Sequence, residues 1–218
     1  MAVLQGLISN TDEVDQVAVH NLPLKMTTYW QPKYKDYTKI LAVRDPFLRA
    51  LSCYKDKFDT SHGMRRSLFR NTAEKAVKMP GTPVDKENNV PSLEQFIRFI
   101  SDESTNISDI HYSEPRHWLP QSEMSMPCHV KFDYIVKVES VADEAEFIFK
   151  KLHLPPTLNY PQGYSSKNSS QTTKELLQKH FSQVPLDAIV KLYRYYKKDF
   201  LLFGYDIPPM LDEITSDR

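Results

Sequence analysis

The clearest indication of the fold comes from Lys39-Ile40-Leu41-Ala42-Val43-Arg44-Asp45-Pro46-Phe47-Leu48-Arg49-Ala50-Leu51-Ser52-Cys53-Tyr54-Lys55-Asp56-Lys57-Phe58. Its first five residues are mostly apolar and rich in strand formers, which predicts a buried parallel strand. A helix should follow, because Asp45 can cap its first turn and Pro46 stands where a missing N–H costs nothing. Apolar side chains then recur at helical spacing, at Phe47, Leu51, Tyr54 and Phe58. A strand that leads into such a helix is half of an α/β unit.

The rest of the chain extends this pattern. A second strand is predicted at residues 132–136, followed by a helix that Ser140 caps. Ser92 opens another helix, with Gln95 placed to complete a capping box. A long amphipathic helix should follow Pro185 and end at Gly204. We therefore predict one α/β domain over residues 1–218, with a central, mainly parallel sheet.

Composition limits the classes of function. Lys plus Arg and Asp plus Glu both number 28, so there is no global positive charge to hold a nucleic acid, and an anion site must be local. The two cysteines, Cys53 and Cys128, exclude a disulfide framework but leave one bridge open. No Gly-rich nucleotide loop, zinc spacing or hydrolase elbow occurs in the chain.

Arg44 and Ser52 form the most informative pair of polar residues. Arg44 ends the predicted strand, and Ser52 lies about two helical turns into the helix, on the side away from the apolar stripe. A guanidinium fork and a hydroxyl that meet at one exposed point suit a phosphate. The alternative is structural: Arg44 pairs with Asp45 or Asp56, and Ser52 faces solvent.

Three blocks together resemble the Golgi carbohydrate sulfotransferases of the chondroitin and dermatan 4-O-sulfotransferase and HNK-1 sulfotransferase type. The first is the Val43 to Phe58 run, which resembles the family's 3′-phosphate-binding motif. The second combines Arg116-His117-Trp118, Met126-Pro127-Cys128 and Phe132-Asp133-Tyr134-Ile135-Val136-Lys137-Val138-Glu139. The third is Asp199-Phe200-Leu201-Leu202-Phe203-Gly204-Tyr205.

The resemblance implies a donor, an acceptor and a set of site residues. The donor is 3′-phosphoadenosine-5′-phosphosulfate (PAPS), the acceptor is a glycan hydroxyl, and no metal is required. Arg44 and Ser52 match the positions that bind the donor's 3′-phosphate. Lys167 falls in a segment where the family places residues that close over this phosphate and the adenine, with a solvated loop lysine as the competing interpretation. His117 is the candidate base, with a structural histidine as the competing interpretation and His111 and His129 as weaker alternatives.

The resemblance also implies a kinase-like fold whose first strand and 5′-phosphosulfate loop are not found ahead of Val43. We therefore expect a chain that begins inside the domain, binds PAPS poorly and has little activity alone. Relatives of this type act in the Golgi lumen from a membrane anchor, and neither an anchor nor a signal peptide is recognised here. The rival hypothesis is a non-catalytic anion- or glycan-binding protein that retains the fold.

Overall fold

The computed structural model describes residues 36–58, 69–105, 114–161 and 172–211. Apart from residues 36–38, all of these belong to one unit that spans Lys39–Arg218. Within the described residues the sheet consists of two parallel strands, β1 (Ile40–Val43) and β2 (Tyr134–Lys137). Ile40 pairs with Tyr134 and Val43 with Lys137. Helices surround this small parallel sheet, so the predicted α/β class is confirmed.

The first strand is less buried than its sequence predicts. Val43 is fully buried, but Ile40 is 41% exposed, and in β2 Val136 is buried whereas Ile135 is 46% exposed. A strand is buried on both faces only when layers cover both sides of its sheet. Within β1, therefore, only the end that leads to Arg44 lies in the interior.

Helix α1 spans Pro46–Phe58, as predicted. A side-chain oxygen of Asp45 accepts a 2.8 Å hydrogen bond from the backbone N–H of Leu48, which confirms the predicted cap. The buried face of α1 includes Phe47, whose ring stacks on Phe181 at a centroid distance of 5.2 Å and meets Phe200 edge-on at 5.7 Å. Burying an aromatic side chain of this size stabilises the fold by about 1.5–3 kcal/mol, so this face fixes the orientation of the helix.

The remaining helices are α2 (Arg70–Ala76), α3 (Leu93–Ile100), α4 (Gln121–Ser125), α5 (Val141–Lys151), α6 (Thr173–Phe181) and α7 (Leu186–Phe203). Single 3-10 turns occur at Pro115–His117, Val138–Ser140 and Pro209–Leu211. The core forms chiefly where α1, α3, α6 and α7 meet. In the described part of the chain, no helix is long and apolar enough to span a membrane.

The predicted helix ends are confirmed with one exception. Ser92 and Gln95 form the capping box of α3, and Gly204 ends α7 with a left-handed φ of 61°. Ser140 does precede α5, but its hydroxyl donates to the Glu144 side chain and accepts no helix N–H. The predicted serine cap is therefore wrong, because the carboxylate four residues ahead is the stronger partner for the hydroxyl.

Candidate functional site

Arg44 and Ser52 line one cleft of about 340 Å³. Val43 pairs with Lys137 at the end of β1, and the next residue, Arg44, lies between the strand and α1. Ser52 follows two turns into α1, on the side of the helix opposite the Phe47 contacts. The remaining residues of this cleft are Arg49, Cys53, Asp56, Lys57 and His117.

The cleft is rich in positive charge and carries donors that the described protein does not use. Among the described residues that line the cleft, three are cationic, Arg44, Arg49 and Lys57, and one is a carboxylate, Asp56, which pairs with Lys57 at 2.8 Å. Within the described residues, neither the Arg44 guanidinium nor the Ser52 hydroxyl takes part in a hydrogen bond or ion pair. The structural alternative required Arg44 to form an ion pair with Asp45 or Asp56, and no such pair is formed. A half-buried guanidinium and a hydroxyl that share a cationic cleft suit an anionic ligand such as phosphate.

Arg49 joins α1 to the turn that carries His117. Its guanidinium donates to the carbonyl of Leu119 at 2.6 Å and to that of Arg116 at 3.2 Å. These two carbonyls lie on either side of His117 in the chain. The His117 ring also meets the Phe69 ring edge-on at 5.4 Å. His117 is thus held from two sides beside the cleft.

Side chains of helix α7 form hydrogen bonds with the backbone of the same turn and of α4, which follows it. The Tyr196 hydroxyl donates to the Trp118 carbonyl at 2.5 Å, and both side chains are buried. The buried Asp199 carboxylate accepts from the backbone N–H groups of Gln121 at 2.7 Å and Ser122 at 2.9 Å, which satisfies the first turn of α4. Gln121 in turn accepts from the Arg44 N–H at 3.0 Å and donates to the Ala42 carbonyl at 3.1 Å. The backbone of Arg44 is therefore fixed by a chain of contacts that begins in α7.

A second network holds the other side of the Arg44 turn. Glu139 accepts from the backbone N–H of Asp45 at 2.8 Å and from the Tyr205 hydroxyl at 3.1 Å. Lys137 donates to the Gly204 carbonyl at 2.7 Å, with its ammonium 4.5 Å from the centre of the Tyr205 ring. All three blocks that predicted the family therefore meet around Asp45.

Burial changes the acid–base chemistry of two residues at this site. Desolvation, followed by the nearby Glu139 carboxylate, raises the pKa of Asp45 from 3.8 to about 6, against the opposing effect of the Leu48 N–H. Desolvation also raises the pKa of the Cys53 thiol to about 12, so this cysteine is not a nucleophile at neutral pH. Cys53 and the exposed Cys128 are both free, which excludes the bridge that the sequence left open.

The other predicted residues fall outside this cleft or outside the described structure. Lys167 and His111 lie outside the described residues, as does most of the chain before Lys39. His129 is exposed and is not among the residues that line the cleft. In the part of the chain that is described, no three His, Cys, Asp or Glu side chains are grouped as a metal site would require.

Sequence reasoning missed Arg49, Lys57 and Gln121. Arg49 lies three residues before Ser52 on the same face of α1, so helical spacing offered a signal for Arg49. Lys57 lies five residues after Ser52, away from that face, so the spacing gave no such signal for it. Gln121 offered none, because its partners Ala42 and Arg44 lie 79 and 77 residues away.

The structure is that of an α/β protein with a cationic cleft at the end of a parallel strand. The chain belongs to the sulfotransferase family, whose sequence model matches residues 1–206. It is 28% identical over 193 residues to carbohydrate sulfotransferase 12 of Xenopus laevis, which covers 84% of this chain and 43% of the relative. It is 26% identical to carbohydrate sulfotransferase 8 of Mus musculus, over 95% of this chain and 51% of the relative.

A third relative, carbohydrate sulfotransferase 10 of Gallus gallus, is 27% identical over 97% of this chain and 61% of its own length. The chain thus spans about half the length of the curated relatives it matches. No solved structure matches it.

Proposed function

We propose that this chain binds PAPS and transfers its sulfonate to a hydroxyl group of a glycan. The observation that carries the proposal is the cationic cleft in which the side chains of Arg44 and Ser52 make no hydrogen bond or ion pair with another described residue. Sulfotransferases need a site for the donor's anionic groups, and this cleft has the donors and charges for one. The relatives are all named carbohydrate sulfotransferases, which favours the transferase over a non-catalytic anion-binding protein.

In the proposed complex Arg44 and Ser52 hold the donor's 3′-phosphate. The guanidinium gives two parallel charge-assisted hydrogen bonds and the hydroxyl a third, while Arg49 and Lys57 add positive charge. Lys167 is the proposed third donor-binding residue, from the loop before α6. The proposed fold is kinase-like. In that fold we expect the 5′-phosphosulfate to be held by groups other than the described residues that line this cleft.

His117 is the proposed base. Its imidazole would accept the proton of the sugar hydroxyl while that oxygen attacks sulfur. The bond between sulfur and the bridging phosphate oxygen breaks as the new sulfur–oxygen bond forms. The products are the sulfated sugar, 3′-phosphoadenosine 5′-phosphate and a protonated His117. This step needs no metal.

One observation favours a second role for His117. It lines the same cleft as Arg44 and Ser52, so a protonated imidazole there would donate to the 3′-phosphate. The two roles need opposite protonation states, since a base must be neutral and a phosphate ligand charged. They are therefore separable by pH.

The proposed compartment is the Golgi lumen, where the family that this sequence resembles modifies glycans. The proposed acceptors are chains of the glycosaminoglycan or glycoprotein type.

A transfer assay tests the proposed function. Because little activity is expected from the chain alone, it is incubated at high concentration with PAPS carrying radioactive sulfur and with unsulfated chondroitin or a desulfated glycoprotein glycan, and the label that accumulates in the glycan is counted. Arg44→Ala should lower transfer by at least about tenfold, because at least one charge-assisted hydrogen bond is lost. Arg194→Ala, which removes an exposed arginine of α7, is the matched control and should leave transfer unchanged. Equal transfer by both variants would refute the assignment of this cleft.

A further inference from the structure

A second cleft, of about 320 Å³, lies beside the first. Its apolar wall is formed by Phe58, Phe69 and Val90, which are 2%, 5% and 2% exposed. Its polar rim is the exposed sequence Glu87-Asn88-Asn89. None of these residues has a role in the proposed donor site.

The two clefts share a residue and a ring contact. Lys57 lines both of them, and its ammonium lies 5.2 Å from the centre of the Phe69 ring. Phe69 in turn contacts the His117 ring. A ligand in the second cleft would therefore lie next to the proposed base and not at a remote surface.

The polar rim belongs to a rigid hairpin. Asp85 and Val90 pair as an antiparallel bridge, with a 2.8 Å hydrogen bond from the Val90 N–H to the Asp85 carbonyl. The Asp85 carboxylate accepts from the backbone N–H groups of Glu87 and Asn88, both at 3.0 Å. Asn89 has a φ of 52°, a left-handed conformation that asparagine tolerates better than most residues. The backbone of the rim is thus held by the protein's own hydrogen bonds, which reduces the entropic cost of binding.

The chemistry of this cleft matches a sugar ring. A pyranose has an apolar face of C–H groups and a perimeter of hydroxyls that both donate and accept hydrogen bonds. The apolar wall suits the C–H face, while the amide of Asn89 and the carboxylate of Glu87 suit the hydroxyls. The Asn88 amide already donates to the Asp85 carboxylate at 2.7 Å. An apolar surface with a few oriented polar groups is the common composition of small-molecule sites.

We propose that the second cleft binds a pyranose residue of the glycan acceptor. The inference rests on the proposed function, because it assigns to the acceptor the space next to His117. It names the class of ligand as a sugar with free hydroxyls and assigns Glu87 as a specificity-determining hydrogen-bond acceptor.

Binding of an unsulfated chondroitin hexasaccharide tests the proposal. The 218-residue chain is first saturated with 3′-phosphoadenosine 5′-phosphate, and the hexasaccharide is then titrated and followed by saturation-transfer NMR. Ala73→Phe places a ring into the cleft from α2, and Glu87→Ala removes the acceptor. Each should weaken hexasaccharide binding by about tenfold, the loss expected for a charged hydrogen bond or an equivalent contact. Lys86→Ala, an exposed neighbour on the same hairpin that does not line the cleft, is the matched control and should have no effect.

The outcomes separate this proposal from the proposed function. Unchanged hexasaccharide affinity in Ala73→Phe would overturn the sugar site while leaving the donor site intact. Absence of hexasaccharide binding to a chain that does bind the nucleotide would overturn it as well. Loss of nucleotide affinity in Ala73→Phe would show that the cleft holds the base of the donor instead. If Arg44→Ala leaves nucleotide binding unchanged, the proposed function fails independently of these results.

Discussion

The guanidinium of Arg49 donates a 2.6 Å hydrogen bond to the carbonyl of Leu119, and this bond joins the helix that carries Ser52 to the turn that carries His117. Arg49 also reaches the Arg116 carbonyl at 3.2 Å, so one planar side chain spans the backbone on both sides of His117. Only a fork of donors can satisfy two separated carbonyls in this way. Arg49 is therefore a positioning residue for the site.

Replacing Arg49 should loosen the His117 turn. We expect Arg49→Ala to lower the free energy of unfolding by about 2 kcal/mol, because two carbonyls lose a charged donor. Arg49→Lys keeps the charge but not the fork, and should recover less than half of that loss. Urea denaturation of both variants measures the effect. The same unfolding free energy for Arg49→Ala and the unsubstituted chain would contradict the positioning role.

Asp45 gives the fold a defined pH dependence. Its pKa in the folded state, about 6, lies above the 3.8 of a free carboxyl, so between these values the folded chain binds more protons than the unfolded one. Stability from this group is therefore greatest below about pH 4 and falls as the pH rises through about 6.

The variant Asp45→Asn isolates that effect. Its amide oxygen can still accept from the Leu48 N–H, but no buried charge has to form. We expect it to raise the free energy of unfolding at neutral pH by about 1–3 kcal/mol and to remove the corresponding loss of stability between about pH 4 and pH 6. Urea denaturation at several pH values checks this. A variant less stable than the unsubstituted chain at neutral pH would show that the Asp45 charge is stabilising.

His117→Ala should separate the two roles proposed for this residue. If His117 is the base, turnover falls by about 10²–10⁴-fold, while affinity for 3′-phosphoadenosine 5′-phosphate stays within about twofold. If the imidazolium instead binds the 3′-phosphate, affinity falls, and the loss is confined to the acidic conditions in which the imidazole carries a proton. Turnover and calorimetric affinity, measured as a function of pH, distinguish the cases. If turnover and affinity are both unchanged in His117→Ala, His117 has neither role.

Local geometry made part of the site predictable. Arg44 and Ser52 are eight residues apart, at a strand end and on the following helix, so their arrangement depends only on helical spacing and the orientation of the apolar stripe. The capping box at Ser92 and the end of α7 at Gly204 are equally local, and both are confirmed. The roles assigned to Arg44 and Ser52 in donor binding stay predictions.

Contacts between distant segments were not predictable in the same way. The Leu119 carbonyl lies 70 residues from Arg49, and the Gln121 and Ser122 N–H groups lie 78 and 77 residues from Asp199. Nothing in the sequence near Asp199 indicates that it satisfies the first turn of another helix. The exposure of Ile40 was missed for a related reason, since the apolar character of a strand does not reveal how many layers cover its sheet.

Calorimetric titration with 3′-phosphoadenosine 5′-phosphate tests whether the cleft lined by Arg44 and Ser52 is the donor site. The 218-residue chain, Arg44→Ala, Ser52→Ala and the control Arg194→Ala are titrated under one set of conditions. We predict weak but measurable binding by the unsubstituted chain and by Arg194→Ala, with affinity about 10- to 100-fold lower for Arg44→Ala and about 3- to 10-fold lower for Ser52→Ala. Equal affinity for the nucleotide in Arg44→Ala and Arg194→Ala would contradict the assignment of this cleft as the donor site.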